Sequence, residues 1–413
     1  MPRKTMLLLM ALMAGDLAAQ QSLHLSVGDP TRKDKEAKVV LDAVTATATG
    51  ELLTPHQVLS RLTGTRLVFF GESHTSIDFH RAQKKMIEEL QGAGKKVFIG
   101  LEMYPHPEQK FLDDWCAGYL TESGFIQLSH WYKNWGYNWN YYRDIFLFAR
   151  DHGLHMFALN APREVVSAVS RKGLQNLTPE ERAFLAPEID TSNEEHFKLF
   201  KAFFEDQTGM HSMMSDAQAR SMFAAQCTWD ATMGYNAVQA LKQYGDENTV
   251  MVVLIGSGHV AYGLGIQRQA SHWYDGKMAS IIPIQVLDDD HRPISSVQAS
   301  YADYIWGLPL ESDTLYPDLG MATGDVQGET RRKVLSVSDD SPAKAAGFQV
   351  GDVLLSMDGV LLTDGETLNR FLADKSWGDS AEFVVSRQPK DGVPQELSLK
   401  VYFRRRAPAG ASR

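Results

Sequence analysis

The sequence predicts an α/β protein, a mostly parallel sheet with helices on both faces, followed by a small β-rich domain. Three observations carry this. The apolar run at 67–70 ends in the polar turn Gly71-Glu-Ser-His74 and leads into a helix with apolar positions Phe79, Ala82, Met86, Ile87 and Leu90. The pattern repeats at 250–255, where the run ends in Gly256-Ser-Gly-His259. Beyond Pro309 the alternation gives way to short β-like segments with Gly and Asp turns.

In chain order, residues 1–19 read as a secretory leader: Arg3 and Lys4, a short apolar segment, then Ala18 and Ala19. No cysteine lies near it, so export to the periplasm or outside without a lipid anchor is expected, and no later stretch has the roughly 20 apolar residues of a membrane span. Cleavage after Ala19 would move the formal charge from −10 to −11, a balance that disfavours nucleic acid and anionic lipid as partners. Cys116 and Cys227 fall on separate predicted helices, and pairing and separate buried thiols both remain open.

Residues 20–49 are polar and read as a loose arm with at most one strand. Thr54-Pro55 has the form of a helix cap with proline at the first helical position. It opens a domain, residues 50–308, with further strands at 96–104, 155–160, 250–255 and 281–287, where Pro283 suggests an edge strand. Right-handed crossovers between parallel strands would gather Glu72, His74, Glu102, Asn160, Arg163 and His259 on one rim. Gln226 and Asp230 lie one helical turn apart and could face the same crevice.

Two insertions stand out. Residues 131–142 are rich in Trp, Tyr and Asn, and either seal a crevice or form a flat wall for a planar ligand. Residues 178–214 are helical and end in Met210-His-Ser-Met-Met214, either packing residues or soft ligands for copper or haem iron.

Two histidines and two carboxylates at one rim, Glu72, His74, Glu102 and His259, would suit a divalent cation that activates water, or general-base chemistry without metal. Haem asks instead for an apolar slot and an axial donor, for which His80, Tyr104 and Tyr262 are candidates, with Arg163, Gln226 and Asp230 lining the site.

The motifs Gly71-Glu-Ser-His74, His80-Arg-Ala-Gln83, Gly100-Leu-Glu-Met103, Ala158-Leu-Asn-Ala-Pro-Arg163, Trp229-Asp-Ala-Thr-Met233 and Gly256-Ser-Gly-His259 resemble those of the ChaN family of haem-binding uptake proteins, in the Tiki and erythromycin-esterase-like superfamily. The resemblance implies haem or iron binding, or, through its hydrolase relatives, metal-dependent cleavage of peptide or ester bonds. An inert rim on a scaffold is the third reading. Residues 313–405 resemble a bacterial PDZ domain: Leu319-Gly320-Met321 is similar to its carboxylate-binding loop, followed by Ser341-Pro-Ala-Lys-Ala-Ala-Gly347 and Val350-Gly-Asp-Val. That resemblance implies a partner bound through its C-terminus or an extended segment.

Overall fold

In the computed structural model, which describes residues 21–208, 215–288, 291–311, 314–326, 331–389 and 391–404, the chain divides into two compact units. Of the described residues, one holds 21–125 and 142–311; the other holds Ile126–Tyr141 and the residues from 314 to 404.

Ten strands belong to the first unit: β1 (Glu36–Lys38), β2 (Val44–Ala46), β3 (Glu51–Leu53), β4 (Thr65–Glu72), β5 (Lys96–Pro105), β6 (His155–Asn160), β7 (Thr249–Gly256), β8 (Lys277–Gln285), β9 (Ser296–Gln298) and β10 (Tyr304–Leu308). Eight of them form one sheet in the order β3-β2-β10-β8-β4-β7-β5-β6. The six from β10 to β6 are parallel, and β2 and β3 add an antiparallel edge. Parallel strands joined by helices are covered on both faces, so their sequences need not alternate. Accordingly β7 is buried at every position, with Met251, Val253 and Ile255 on one face and Val252 and Leu254 on the other.

Helix ends follow the sequence signals. Thr54 and Gln57 form a capping box over Pro55–Arg61, and Ser215 and Gln218 do the same for the long helix Asp216–Tyr244.

Two expectations change. The segment 21–49 is built in rather than loose: it supplies β1, which pairs with β9, and β2, which lies between β3 and β10. Three-residue strands are too short to show a period. Pro283 is not on an edge strand, because β8 lies between β10 and β4. Its missing N–H is tolerated because pairing with β4 ends at Ile281, leaving only β10 beside it.

The second unit has β11 (Met321–Asp325), β12 (Arg332–Val337), β13 (Val353–Met357), β14 (Val360–Leu361), β15 (Ser380–Arg387) and β16 (Gln395–Tyr402). They form an antiparallel sheet in the order β11-β12-β13-β15-β16, with β14 on β13. Val334, Leu354, Phe383, Val385 and Val401 make its core, closed by Leu368 of the helix Gly365–Ala373.

The cysteines are separate thiols. Burial pushes Cys116 up to about 11 and raises Cys227 well above its ordinary value. A thiol reagent at neutral pH is therefore expected to label both slowly in the native protein and both fully in guanidinium chloride; a fast native equivalent would contradict the burial.

Candidate functional site: a buried histidine and carboxylate cluster

The sheet order sets the location. From β4 the chain goes to β5, past β7, whereas from β7 it goes to β8 on the far side of β4. The connections diverge between β4 and β7, and such a switch point leaves a crevice at the carboxyl ends of the strands. Glu72, the last residue of β4, pairs there with Gly256, the last of β7.

Glu72 is 3% exposed and gathers one set of side chains. Its Oε1 accepts from His74 Nδ1 at 2.7 Å and from the Tyr142 hydroxyl at 2.6 Å, and its Oε2 accepts from Gln83 Nε2 at 2.7 Å. Burial alone would raise the carboxyl; the charge of His80 and the bonds from His74 and Tyr142 outweigh it and bring Glu72 down to about 2.

A second set surrounds His259. Its Nδ1 meets Asp230 Oδ1 at 2.6 Å, and its Nε2 lies 3.3 Å from Glu102 Oε1. Burial disfavours the imidazolium, but the two carboxylates prevail and hold His259 up at about 10. Glu102 is also buried, yet the charge of His259 and the Gly256 N–H, 2.7 Å from Oε2, keep it below its usual range. Burial raises Asp230. Gln226 sits one turn before Asp230, its Nε2 2.8 Å from His259 Nδ1.

Gly256 joins the sets. A Cβ there would lie 3.3 Å from His74 Nε2 and 3.7 Å from Glu102 Oε2, so the bare backbone lets both side chains converge over the end of β7. Glu72, His74, Glu102 and His259 thus occupy one place, with Gln226 and Asp230 behind His259.

The other sequence candidates lie differently. His80 is 2% exposed and faces oxygens with both ring nitrogens, Nδ1 to Gln83 Oε1 at 3.1 Å and Nε2 to the His74 carbonyl at 3.2 Å. Tyr104 is fully buried, its ring 6.0 Å from Phe125. Tyr262, at φ 62°, donates its hydroxyl to the Ser22 carbonyl at 2.7 Å and accepts from the Leu25 N–H at 2.9 Å. Arg163 is exposed at the start of the helix that follows β6. The Met210–Met214 stretch lies outside the described residues. Sequence reasoning missed Tyr142 as a partner of Glu72, and His196, whose Nε2 is 3.6 Å from Asp230 Oδ2.

The four donors proposed for a divalent cation are turned on one another, His259 being held between two carboxylates. Among the described residues no group of three or more His, Cys, Asp or Glu is arranged to hold a metal ion. His80, Tyr104 and Tyr262, the expected axial haem donors, are all buried, and His80 and Tyr262 make hydrogen bonds within the protein. Among the described residues, buried Gln226 Oε1, Asp230 Oδ2 and Ser257 Oγ have no hydrogen-bond partner and could receive a polar group.

The haem-binding uptake, Tiki superfamily, ChaN family matches residues 58–269, a little over half of the 413 residues. The chain belongs to this family. A PDZ domain matches residues 317–401. Among solved structures, ChaN of Campylobacter jejuni with cofacially bound haem is 14% identical and covers 64% of this chain and 95% of that one at a TM-score of 0.50, which shows the ChaN fold. An erythromycin esterase, EreC, in its open conformation is 11% identical over 78% of this chain and 89% of that one, at a TM-score of 0.38. The Arabidopsis thaliana protein RETICULATA-RELATED 5, chloroplastic, is 22% identical over 266 residues, 60% of this chain. The chain spans 35% of that relative's length. In this ChaN-family domain the motif residues His80 and Gln83 support Glu72 from the helix Ile77–Gly92.

In the PDZ domain Gly320 has φ 62°, and a Cβ there would meet Ser341 Cβ at 2.3 Å. Leu319 is buried beneath the loop, and Met321 opens edge strand β11.

Proposed function

We propose that the ChaN-type domain binds haem outside the cytoplasm, and that the PDZ domain recruits the protein to the C-terminus of a partner. The family match over residues 58–269 carries this reading. Support for the second half comes from β11, an edge strand beside a loop with the glycine such a carboxylate site needs. The leader-like residues 1–19 support export.

Haem brings an iron that takes axial donors and a flat apolar ring. This chain's contribution at the switch point is electrostatic: a carboxylate and imidazole cluster whose charges are compensated from within. Because His80 and Tyr262 are engaged in hydrogen bonds within the protein, hemin titration is expected to give a saturable Soret shift that survives in His80→Gln and Tyr262→Phe. Absence of any saturable shift in the wild-type chain would overturn the haem reading.

The convergence of His74 and Glu102 over Gly256 favours a second reading, hydrolysis, in which one of them would take a proton from water. Cleavage of a peptide or ester library, lost in His74→Gln and Glu102→Gln, is its test.

A further inference from the structure

A PDZ domain takes an extended peptide between an edge strand and a helix, here β11 and Gly365–Ala373. Arg332 fixes which side of the helix faces that strand. Its guanidinium donates to the Thr323 carbonyl at 2.7 Å and to Thr323 Oγ1 at 3.1 Å on β11, and its Cζ lies 3.4 Å from where a Cβ on Gly365 would sit. Asn369 and Leu372 share that side with Gly365, at spacings of four and seven residues.

Asn369 is already engaged. Its Nδ2 donates to the Tyr132 carbonyl at 3.0 Å. A Cβ on Gly136, at φ 89°, would lie 2.8 Å from that same nitrogen. The ends of the helix are held by the same segment: His130 Nδ1 lies 3.3 Å from Glu366 Oε1, and Asn138 Nδ2 donates to the Ala373 carbonyl at 3.1 Å. The aromatic segment Ile126–Tyr141 therefore runs along the PDZ helix and reaches a residue on its groove side.

At the end of the segment, the Tyr141 hydroxyl accepts from the Tyr316 N–H at 3.3 Å, three residues before Leu319. The rings of Tyr141 and Tyr316 meet edge to face, with centroids 5.3 Å apart. The very next residue, Tyr142, donates to Glu72. Two adjacent phenols thus answer to two different binding modules.

We propose that Ile126–Tyr141 is a built-in regulator of the peptide groove. Seating a free peptide C-terminus between β11 and the helix displaces the segment, and the peptide bond between Tyr141 and Tyr142 carries that displacement to the hydrogen bond on Glu72. This rests on reading the PDZ domain as a peptide binder. No wire of packed residues is needed, because the covalent chain itself joins the segment to the donor on Glu72. By reciprocity, whatever occupies the switch point alters peptide affinity by the same factor.

The test is hydrogen–deuterium exchange on the full chain, with and without a saturating peptide selected from a C-terminal library with apolar last residues. The expected result is a change of about fivefold or more in exchange rate both within 126–141 and in the helix Arg143–Asp151. In a His130→Ala, Asn138→Ala double variant at saturating peptide, the response at Arg143–Asp151 disappears while that at β11 persists. Exchange changes confined to β11 and Gly365–Ala373 in the wild type would overturn the proposal and leave peptide binding intact. If no library peptide binds the full chain, the peptide-binding reading itself falls, and the proposal with it.

Discussion

Replacing His259 by glutamine is expected to lower the unfolding free energy of the ChaN-type domain by about 3–5 kcal/mol, measured by urea denaturation at pH 7. The glutamine leaves Glu102 and Asp230 facing a neutral amide inside the protein, 8% and 0% exposed. Removing one member of a buried ionic group costs more than the pair contributes, because the remaining charge keeps its desolvation penalty. The pH dependence separates this cause from a simple packing defect. His259 is raised from its ordinary 6.5 to about 10 in the fold, so its stabilisation is complete below about pH 6.5 and is lost as the pH rises through 10. The wild-type chain should therefore lose stability between pH 7 and 10 more steeply than His259→Gln. Parallel curves for the two proteins would show that the imidazole carries no charge in the fold.

Glu72→Gln should show the mirror image in acid. Glu72 falls from 4.5 to about 2 on folding, so its contribution is present above pH 4.5 and is lost as the pH falls toward 2. The charge contributes about 3 kcal/mol at neutral pH. A glutamine could still accept from one neighbour, but its amide nitrogen would oppose one of the donors that now converge, from His74, Tyr142 and Gln83. The expected outcome is a less stable protein at pH 7 whose acid transition is flatter than that of the wild type. An acid transition unchanged by the substitution would mean that other carboxylates govern it.

The parallel sheet was legible because its buried strands are apolar runs, those of β4 and β7 ending in glycine-bearing turns, and because helices such as those at Pro55 and Asp216 carry their caps in the sequence. The convergence of Glu72, His74, Glu102 and His259 followed from topology alone: parallel strands deliver their carboxyl ends to one side. Tyr142 was illegible as a member of the cluster because it is one of many aromatic residues in its stretch and reaches Glu72 across 70 positions. The attachment of Ile126–Tyr141 to the PDZ unit was hidden for a different reason. Its contacts include those of His130, Asn138 and Asn369 and the Tyr141–Tyr316 pair, single contacts that leave no hydrophobic period to read. Pro283 misled because the rule against proline in central strands concerns the hydrogen bonds a residue must make, and these depend on where the neighbouring ladder stops.

The bond between Tyr262 and the residues near the front of the chain sets a limit on trimming. One phenol holds both the Ser22 carbonyl and the Leu25 amide while its own backbone stays at φ 62°. Ragged ends produced by exopeptidases ahead of residue 22 would leave this latch whole. Digestion a few residues further would release a backbone conformation that a tyrosine does not favour unaided, so the tolerable start point of a trimmed chain is set by a residue some 240 positions away.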